Sequence, residues 1–443
     1  MAPTVPFGAM RIRASDVAAA TGGTLRGADV EVDGASFDSR SLRPGELFVP
    51  LVAERDGHDF VTAAAERGAA ATLAARPVEA RLPVIEVADT ADALMALAAW
   101  ARERLTASVV GITGSVGKTS TKDLVRAAVG AGRRVTANER SFNNEQGLPV
   151  TILGAPADTE VLVLEMGMRA LGEITRLCRV GRPDVGVVTA VAASHTETLG
   201  GLDGVARAKG ELVEALPAGG TAILNADDDR VLAMRDRTSA SVLTYGHGTG
   251  ADVRIEDLVL DELARARATL RTPWGAVEVA LGVPGAHMAA NAAAALAVAG
   301  TLGVDLRGAA AALATAPLSA MRMQVLAAAS GGLVINDAYN ANPTSMTAAL
   351  TSLAAVSARR RVAVLGAMAE LDEPVAAHRE VAAVAARLGI ELIAVGTADY
   401  GVAPVDDAAV ATAVGALTEG VAVLVKASRA AGLERLVAGL VAS

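Results

Sequence analysis

The chain has 443 residues, of which 52% are hydrophobic but only 2% aromatic, and its formal net charge is −9. This length predicts about two to four domains, and the acidic balance argues against broad binding to nucleic acid. A single cysteine, Cys178, excludes a disulfide framework and fits a reducing compartment. The first dozen residues lack the pattern of a signal peptide, and the longest apolar stretch contains Asn291, so we expect a cytoplasmic protein without a membrane span.

Residues 1–88 alternate short strand-like and helix-like segments, which predicts a small α/β domain. This segment contains the run Phe37-Asp38-Ser39-Arg40 and, further on, His58. Taken alone, Arg40 is most simply a solvated loop cation and His58 a residue at a helix start. A binding role for either needs support from elsewhere in the chain.

A phosphate-binding loop is predicted near the start of the second segment, residues 89–318. The apolar run 109–112 leads into a glycine-rich stretch, Thr113-Gly114-Ser115-Val116-Gly117-Lys118-Thr119-Ser120, and a helix-like segment follows. The stretch resembles the Gly-x-x-x-x-Gly-Lys-Thr pattern, in which backbone N–H groups surround phosphate oxygens and the lysine reaches the β and γ phosphates. The Thr119 hydroxyl would lie on Mg²⁺. The pattern indicates a site for a nucleoside triphosphate.

Polar groups follow several predicted strands of this segment. Glu165 ends the buried run 161–165, and His195 comes shortly after the run 185–191. The carboxyl ends of strands in an open α/β sheet are where ligands bind. The simpler alternatives are an ordinary strand-ending acid and a structural histidine. Lys209 lies in a helix-like segment and, without other support, is a surface lysine.

Three further residues of this segment are candidates for nucleotide contacts. Asn225 ends a strand and opens a polar cluster suited to a base or ribose. His287 and Asn291 begin an alanine-rich helix and are spaced to share one helical face. A capped helix without a ligand also explains the last two.

The third segment, residues 319–443, alternates strands and helices, which predicts a doubly wound parallel sheet of Rossmann-like type. A strand at 333–337 runs into Tyr339-Asn340-Ala341-Asn342-Pro343, after which Ser345 is expected to cap a helix. The predicted fold is therefore α/β with three domains: a small N-terminal domain (1–88), a central phosphate-loop domain with a parallel sheet (89–318) and a C-terminal domain (319–443).

Read together, the polar motifs occur in a distinctive order. They are Gly114-Ser115-Val116-Gly117-Lys118-Thr119, Asn143-Asn144-Glu145, Glu165-Met166-Gly167, His195-Thr196-Glu197, Ala208-Lys209-Gly210-Glu211, Asn225-Ala226-Asp227-Asp228, Asp337-Ala338-Tyr339-Asn340-Ala341-Asn342-Pro343 and Lys426-Ala427-Ser428-Arg429. The series resembles the Mur ligases of peptidoglycan synthesis over nearly the whole chain. It is most similar to the member that adds D-alanyl-D-alanine.

The resemblance implies an ATP-dependent amide ligase that uses ATP and two Mg²⁺ ions. Its expected substrates are a UDP-N-acetylmuramoyl-tripeptide, whose third residue is either diaminopimelate or lysine, and the dipeptide D-alanyl-D-alanine. Neither nucleic acid nor a membrane is an expected partner, and we expect a monomer.

The resemblance also implies roles for individual residues. Catalytic groups would be Lys118, Lys209 and His195, and the metal ligands would be Thr119, Glu165, His195 and Lys209, the last as a carbamate formed with CO₂. ATP would contact Gly114, Ser115, Gly117, Lys118, Thr119, Ser120, Asn225, His287, Asn291, Arg322, Asp337 and Tyr339. The other substrates would contact Ser39, Arg40, Asn144, Asn340, Asn342, Lys426 and Arg429.

Three positions depart from the family pattern. Ala367 stands where an aspartate is common, Ala427 replaces a usual glycine and Met288 replaces a common asparagine. Two other activities are kept as alternatives: a phosphate-loop switch or motor ATPase, and another amide ligase of the same superfamily, such as a folylpolyglutamate synthase.

Overall fold

A computed structural model describes residues 10–139, 141–193 and 199–442. The described elements form three α/β regions in succession along the chain, each with its own main sheet. The predicted His195 lies outside the described residues.

The N-terminal region has a small five-stranded sheet in the order β2-β7-β6-β5-β4, beside a two-stranded β1-β3 ribbon. Strand β2 is antiparallel to β7, and the other neighbours in the sheet are parallel. Its elements are β1 (Arg11–Arg13), α1 (Ala14–Thr21), β2 (Thr24–Arg26), β3 (Glu31–Asp33), β4 (Ala35–Ser36), β5 (Leu47–Phe48), α2 (Val61–Glu66), β6 (Ala71–Ala74) and β7 (Val84–Glu86).

The central region is built on a nine-stranded sheet that also contains the phosphate loop. Its elements up to residue 193 are α3 (Thr90–Arg102), β8 (Ser108–Thr113), α4 (Lys118–Gly130), β9 (Val135–Ala137), α5 (Gly147–Leu153), β10 (Val161–Glu165), α6 (Glu173–Gly181) and β11 (Val185–Val188). The later elements are α7 (Leu202–Glu214), β12 (Thr221–Asn225), α8 (Asp229–Leu232), β13 (Ser241–Gly246), β14 (Val253–Leu260), β15 (Arg265–Thr272), β16 (Gly275–Pro284), α9 (Met288–Thr301) and α10 (Leu306–Leu313).

The parallel sheet predicted for this region forms its larger part, but it is extended by strands that the sequence analysis did not predict. The order is β16-β15-β14-β13-β12-β11-β8-β10-β9, and the strands from β14 to β9 pair in parallel. Strands β15 and β16 then pair antiparallel as a meander, which makes the complete sheet mixed. Long antiparallel neighbours need only short turns and therefore extend an edge without a crossover helix.

The C-terminal region has a five-stranded sheet in the order β17-β18-β21-β19-β20. Four strands are parallel, as predicted, and β17 is antiparallel at one edge. Its elements are β17 (Gln324–Ala327), β18 (Leu333–Asn336), α11 (Pro343–Ala355), β19 (Arg360–Leu365), α12 (Pro374–Arg387), β20 (Glu391–Ala394), α13 (Asp407–Val414), β21 (Val421–Lys426) and α14 (Glu434–Ala442).

Successive side chains of the central strands point to opposite faces of the sheet, and helices cover both faces. Val110 and Ile112 of β8 pack with α4 and α9, whereas Val109 packs on the other face with α3, α5 and α6. Helix α9 is buried along almost its entire length, and most of its residues are alanine. Small side chains allow this helix to pack closely against α4 and the sheet, so the core needs few aromatic residues.

Among the described helices, none combines the length and apolar character that crossing a membrane requires.

Candidate active site

The loop between β8 and α4 depends on two glycines. Gly114 has φ of 148°, and a Cβ there would lie 1.9 Å from Thr189 Oγ1. Gly117 has φ of 83°, and a Cβ there would lie 2.9 Å from Asn291 Oδ1. Any side chain at these positions would therefore clash with or strain the loop. The strict Gly-x-x-x-x-Gly-Lys spacing is not met, because Ile112 occupies the position of its first glycine and is buried in the sheet.

Lys118 begins helix α4 and folds back over the loop. Its Nζ donates to the Gly114 carbonyl at 2.5 Å. Burial lowers the pKa of Lys118, an effect that the nearby Glu165 carboxylate opposes and the Arg322 guanidinium reinforces. The lysine is thus held among loop carbonyls at the place where a phosphate-binding cation is required.

The Thr119 hydroxyl is buried and lies at the junction with the C-terminal region. It lies 3.3 Å from Ser141 Oγ and accepts a hydrogen bond from Arg322 at 3.2 Å. The Arg322 guanidinium also lies over the Tyr339 ring, 4.2 Å from its centroid. Arg322 therefore joins the phosphate loop to a polar segment of the C-terminal region.

Glu165 ends β10 beside the loop and is 1% exposed. Asn143 donates to its Oε1 at 2.7 Å, and its backbone N–H donates to Asn138 Oδ1 at 2.6 Å. The other carboxylate oxygen, Oε2, is buried and accepts no hydrogen bond from a described residue. A buried carboxylate oxygen without a donor fits a bound cation, and Mg²⁺ prefers oxygen ligands. These residues therefore fit the metal that the sequence predicts.

Lys209 lies on α7 and is 2% exposed. No hydrogen bond or ion pair joins its amine to another described residue. Burial and the positive charge of Lys118 lower the pKa of Lys209 well below the ordinary value for lysine. Glu211, two residues further on, accepts hydrogen bonds from the backbone of Gly172 and Thr175 at 2.7 and 2.9 Å, so it is a cap for α6.

Asn225 and His287 line the same cavity. Asn225 Nδ2 donates to the Thr189 carbonyl at 2.8 Å, which fixes the strand end next to the loop. The His287 ring is accessible from the cavity, yet desolvation there lowers its pKa, with Asp337 opposing and Lys426 adding to this shift.

The acids that follow Asn225 have structural partners instead. Asp227 accepts from the backbone of His247, and Asp228 caps α8 and accepts from the backbone of Val191. Neither lines the cavity. Of this predicted polar cluster, the structure therefore places Asn225 at the cavity.

In the C-terminal region, Lys426 and Asp337 form a buried pair. Lys426 Nζ donates to Asp337 Oδ2 at 2.6 Å and to the Asn340 carbonyl at 2.8 Å. Burial lowers the pKa of Lys426, and Asp337 opposes this effect. The remaining Asp337 oxygen accepts from the Met323 backbone at 3.1 Å, which ties the pair to the segment that holds Arg322.

Two predicted substrate residues have partners of their own. Asn342 is the N-cap of α11, accepting from the Ser345 N–H at 2.8 Å, and Ser345 completes the capping box from the third helical position. The expectation that Ser345 itself is the cap was wrong: the helix begins at Pro343, so the cap is Asn342, three residues before Ser345. Arg429 is 56% exposed and pairs with Glu434 at 2.6 Å.

One cavity of about 880 Å³ joins these groups from the central and C-terminal regions. The predicted residues that line it are Ser115, Gly117, Lys118, Thr119, Ser120, Asn144, Glu165, Lys209, Asn225, His287, Asn291, Arg322, Asp337, Tyr339, Asn340, Asn342, Lys426 and Arg429. Gly114 is buried within the loop, and its carbonyl accepts the hydrogen bond from Lys118.

Ser39 and Arg40 do not line this cavity. Arg40 pairs with Asp38 at 2.8 Å and its side chain is 87% exposed. The neighbouring Phe37 ring nevertheless packs 5.8 Å from Phe142, which follows Ser141 of the cavity wall. The predicted Asp-Ser-Arg run is thus outside the cavity but next to one of its loops.

Several contributing residues were not singled out from the sequence. Asn143, which donates to Glu165, lies in the motif 143–145, for which the sequence predicted a contact only at Asn144. Ser428 is buried and accepts from the Ala369 N–H at 2.8 Å, which joins two loops of the C-terminal region. Arg176 lies on α6 and lines the cavity. A surface arginine on a helix has no local pattern that reveals such a position.

Comparison with known proteins agrees with this arrangement. The model of the Mur ligase middle domain matches residues 112–299, and that of the Mur ligase, glutamate ligase domain matches residues 321–441. The chain is 41% identical to the UDP-N-acetylmuramoyl-tripeptide–D-alanyl-D-alanine ligase of Mycobacterium bovis, over 92% of this chain and 91% of that relative.

Solved structures of MurF ligases are similar to this chain over nearly its whole length. MurF from Acinetobacter baumannii superimposes with a TM-score of 0.88 at 29% identity, covering 98% of this chain and 99% of that one. MurF ligase from Thermotoga maritima in complex with ADP gives a TM-score of 0.80 at 28% identity, covering 91% and 96%. The predicted three-domain α/β architecture is confirmed. The chain belongs to the Mur ligase family.

Proposed function

We propose that this protein is an ATP-dependent ligase that joins D-alanyl-D-alanine to the terminal carboxylate of a UDP-N-acetylmuramoyl-tripeptide. The observation that supports this most directly is the single cavity in which the phosphate loop faces Lys426 and Arg429 of the C-terminal region. A reaction between a nucleotide and two further substrates requires groups from both sides of such a cavity. A nucleotide switch does not need the groups that the C-terminal region contributes to the cavity.

The chemistry follows from the weak electrophilicity of a carboxylate. A carboxylate oxygen of the tripeptide attacks the γ-phosphorus of ATP, and ADP leaves with the bridging electron pair. The dipeptide amine then attacks the acyl carbon of the acyl phosphate and loses a proton. The C–O bond to phosphate breaks, and the products are an amide and inorganic phosphate.

Lys118 and Arg322 would stabilise charge on the transferred phosphoryl group, because both cations lie beside the loop. Thr119 and Glu165 would hold Mg²⁺, which neutralises phosphate charge when bound. We extend this assignment to His195 as a further ligand. For the nucleotide we propose contacts with the loop residues 114–120, Asn225, His287, Asn291, Asp337 and Tyr339.

A second metal ligand is proposed at Lys209. Its amine is buried, without a partner among described residues, and its pKa is lowered. A neutral amine reacts with CO₂ to give a carbamate and one proton. The carbamate carries a negative charge and two oxygens, which suit Mg²⁺ better than an ammonium would. We therefore propose two Mg²⁺ ions, one of them held through carbamylated Lys209.

The remaining contacts are proposed by position. Asn340, Asn342, Lys426 and Arg429 would orient the dipeptide, Asn144 the acceptor peptide, and Ser39 with Arg40 the UDP end. We propose domain limits of 1–88, 89–318 and 319–443, a monomer, and action in the cytoplasm, where its nucleotide substrates are made.

The test is a phosphate-release assay in which each substrate is omitted in turn. We expect release with ATP only when both the UDP-linked tripeptide and D-alanyl-D-alanine are present. A folate-type acceptor with glutamate serves as the control for the related amide ligases. Release that depends on a macromolecule, or that is equally fast with neither acceptor present, would contradict the proposal.

A further inference from the structure

A cluster of mixed charge lines one side of the cavity and is not used by the proposed reaction. It consists of Arg169, Glu173 and Arg176 at and near the start of α6, Asp92 of α3, and Glu145 of the loop before α5. We call these five residues the mixed-charge wall. Its three acids and two arginines come from three separate segments of the chain.

Arg176 is the centre of the wall. One guanidinium nitrogen lies 2.9 Å from Glu145 Oε1, and another lies 3.9 Å from Asp92 Oδ1. The Arg176 side chain is 51% exposed and Asp92 is 80% exposed, so this ion pair is open to the cavity. Exposed pairs such as Arg176–Asp92 contribute little to folding stability. A carboxylate of a ligand could therefore replace Asp92 beside the guanidinium with little loss of stability.

Glu145 is the second feature of the wall. Its Oε1 is shielded from solvent and accepts no hydrogen bond from a described residue, even though Arg176 is close enough for ionic attraction. The pair with Arg176 compensates the charge of this oxygen without a well-aligned hydrogen bond, and the Glu145 side chain as a whole is 35% exposed. Because Glu145 and Arg176 both line the cavity, they present a carboxylate and a guanidinium side by side to a ligand that enters it.

The wall lies next to the reacting groups. Asn143, two residues before Glu145, donates to Glu165 and accepts from the backbone of Gly167 at 2.7 Å. Arg169 follows two residues after Gly167. The segments that hold Glu165 thus continue directly into the wall, so the residue whose carboxylate reacts beside Glu165 would place its side chain there.

We propose that the mixed-charge wall selects a tripeptide whose third residue ends in a zwitterion, as diaminopimelate does, with the far carboxylate on Arg176 and the far ammonium on Glu145. The inference rests on the proposed function and names its acceptor. A lysine side chain offers only the ammonium and leaves Arg176 without an anion from the substrate. A diphosphate group would meet three carboxylates in the same wall, which is unfavourable.

The test compares two acceptors, UDP-N-acetylmuramoyl-tripeptides with diaminopimelate or lysine in third position, on the same enzyme preparation. The ratio of their kcat/KM values does not depend on the fraction of folded enzyme. We expect the wild type to prefer diaminopimelate by about 10- to 100-fold, as for one charged hydrogen bond. Arg176→Met should remove most of this preference by raising KM for the diaminopimelate substrate alone.

Two further variants are needed: Glu145→Gln tests the ammonium contact, and Arg179→Met is the control. Glu145→Gln should raise KM for both acceptors, because both carry the ammonium. Arg179 is exposed on the same helix and does not line the cavity, so Arg179→Met should preserve the wild-type ratio.

Equal use of both acceptors by the wild type would overturn the inference while leaving the proposed function intact. An equal loss for both acceptors in Arg176→Met would also overturn it, since Arg176 would then bind a part that the two share, such as the diphosphate. No phosphate release with either acceptor would contradict the proposed function itself, and this inference with it.

Discussion

The sequence predicts Lys118 at the phosphate loop, and in the structure its ammonium lies over that loop. Removing its ammonium takes a cation away from the loop that would hold the β and γ phosphates. We expect Lys118→Ala to lower kcat by about 100-fold or more, as for the loss of one strong electrostatic donor. Arg126→Ala, an exposed change on the same helix, is the control. Near-normal turnover in folded Lys118→Ala would contradict the assignment.

Glu165 combines a buried position with one carboxylate oxygen that lacks a donor. Glu165→Gln keeps the shape but removes the charge that would attract Mg²⁺. We expect the Mg²⁺ concentration for half-maximal activity to rise by about tenfold or more, because a carboxylate is a far better ligand than an amide. Glu214→Gln, an exposed change away from the cavity, should leave the titration unaltered. A superimposable Mg²⁺ curve for Glu165→Gln would argue against metal binding here.

Lys209 should make activity depend on both pH and CO₂. Because its pKa in the folded protein is lowered, the amine stays neutral to a lower pH than an ordinary lysine and protonates only below that shifted pKa. As pH falls through that value, the amine becomes charged and carbamate is lost, so activity should fall on the acidic side. Removal of CO₂ should reduce activity, and bicarbonate should restore it.

The matched variant for this prediction is Lys209→Arg, which keeps the positive charge but does not form a stable carbamate. We expect it to be inactive at every CO₂ concentration. The pH dependence of the free energy of unfolding of the wild type gives a second readout. Between the lowered pKa and the ordinary lysine value the unfolded chain binds more protons, so stability should rise with pH through that interval. Full activity of Lys209→Arg would exclude the carbamate.

At the scale of elements, helix α11 shows how one residue can be assigned two roles. Asn342 was predicted to contact substrate, whereas the structure places its side chain in the helix cap. Asn342→Ala should lower the free energy of unfolding by about 1 kcal/mol, the usual value of such a cap, and Asn342→Ser should restore most of it. Chemical denaturation measures both, and Thr347→Ala, exposed within the same helix, is the control.

Steady-state kinetics of the same variants separate the two roles. If Asn342 acts only as a cap, Asn342→Ser should have nearly normal KM for the dipeptide. If it also contacts substrate, KM should rise in Asn342→Ser although stability is restored.

The strand pattern was informative only for the parallel part of the sheets. Buried parallel strands such as β8, β10 and β18 are continuous apolar runs, and these were predicted within one or two residues of their observed bounds. The meander β14 to β16 was missed. Its strands mix buried and exposed residues, including arginines, because one face of an antiparallel edge can meet water.

At the scale of the whole molecule, the cavity is formed jointly by the central and C-terminal regions, which are joined through residues 319–323. Within this link Met321 and Met323 have positive φ values of 60° and 51°, an uncommon conformation for such side chains. Ser319 is held to Asp123 of α4 at 2.7 Å. Its other end is held as well, because the Met323 N–H donates to Asp337. A short strained link between two anchored ends is a suitable hinge.

We therefore expect the radius of gyration to decrease when a non-hydrolysable ATP analogue and the UDP-linked tripeptide are both bound, because these ligands contact groups on both sides of the cavity and favour the closed state. Small-angle X-ray scattering of the free and saturated enzyme measures this. The ATP analogue alone should give a smaller change. Identical scattering profiles at saturation would contradict the expectation.

The sequence by itself determined the phosphate loop, the strand-end carboxylate and the order of the three α/β regions. The loop depends only on residues 109–120, which supply an apolar strand, two glycines, a lysine and a helix start. Such a pattern can be recognised from the sequence because the residues that set the backbone conformation are neighbours in the chain. The family resemblance added roles to residues that were ambiguous alone, such as Lys209.

Only the tertiary structure decided which of these groups meet. Arg322 reaches Thr119 across 203 positions and Lys426 reaches Asp337 across 89, while Asp227, Asp228 and Glu211 turn to backbone N–H groups. A polar side chain takes the partner that packing brings within hydrogen-bond distance, and burial then makes that partner obligatory. Packing between distant segments is not encoded in any short stretch, so the mixed-charge wall became visible only when α3, α6 and the 141–146 loop were seen together.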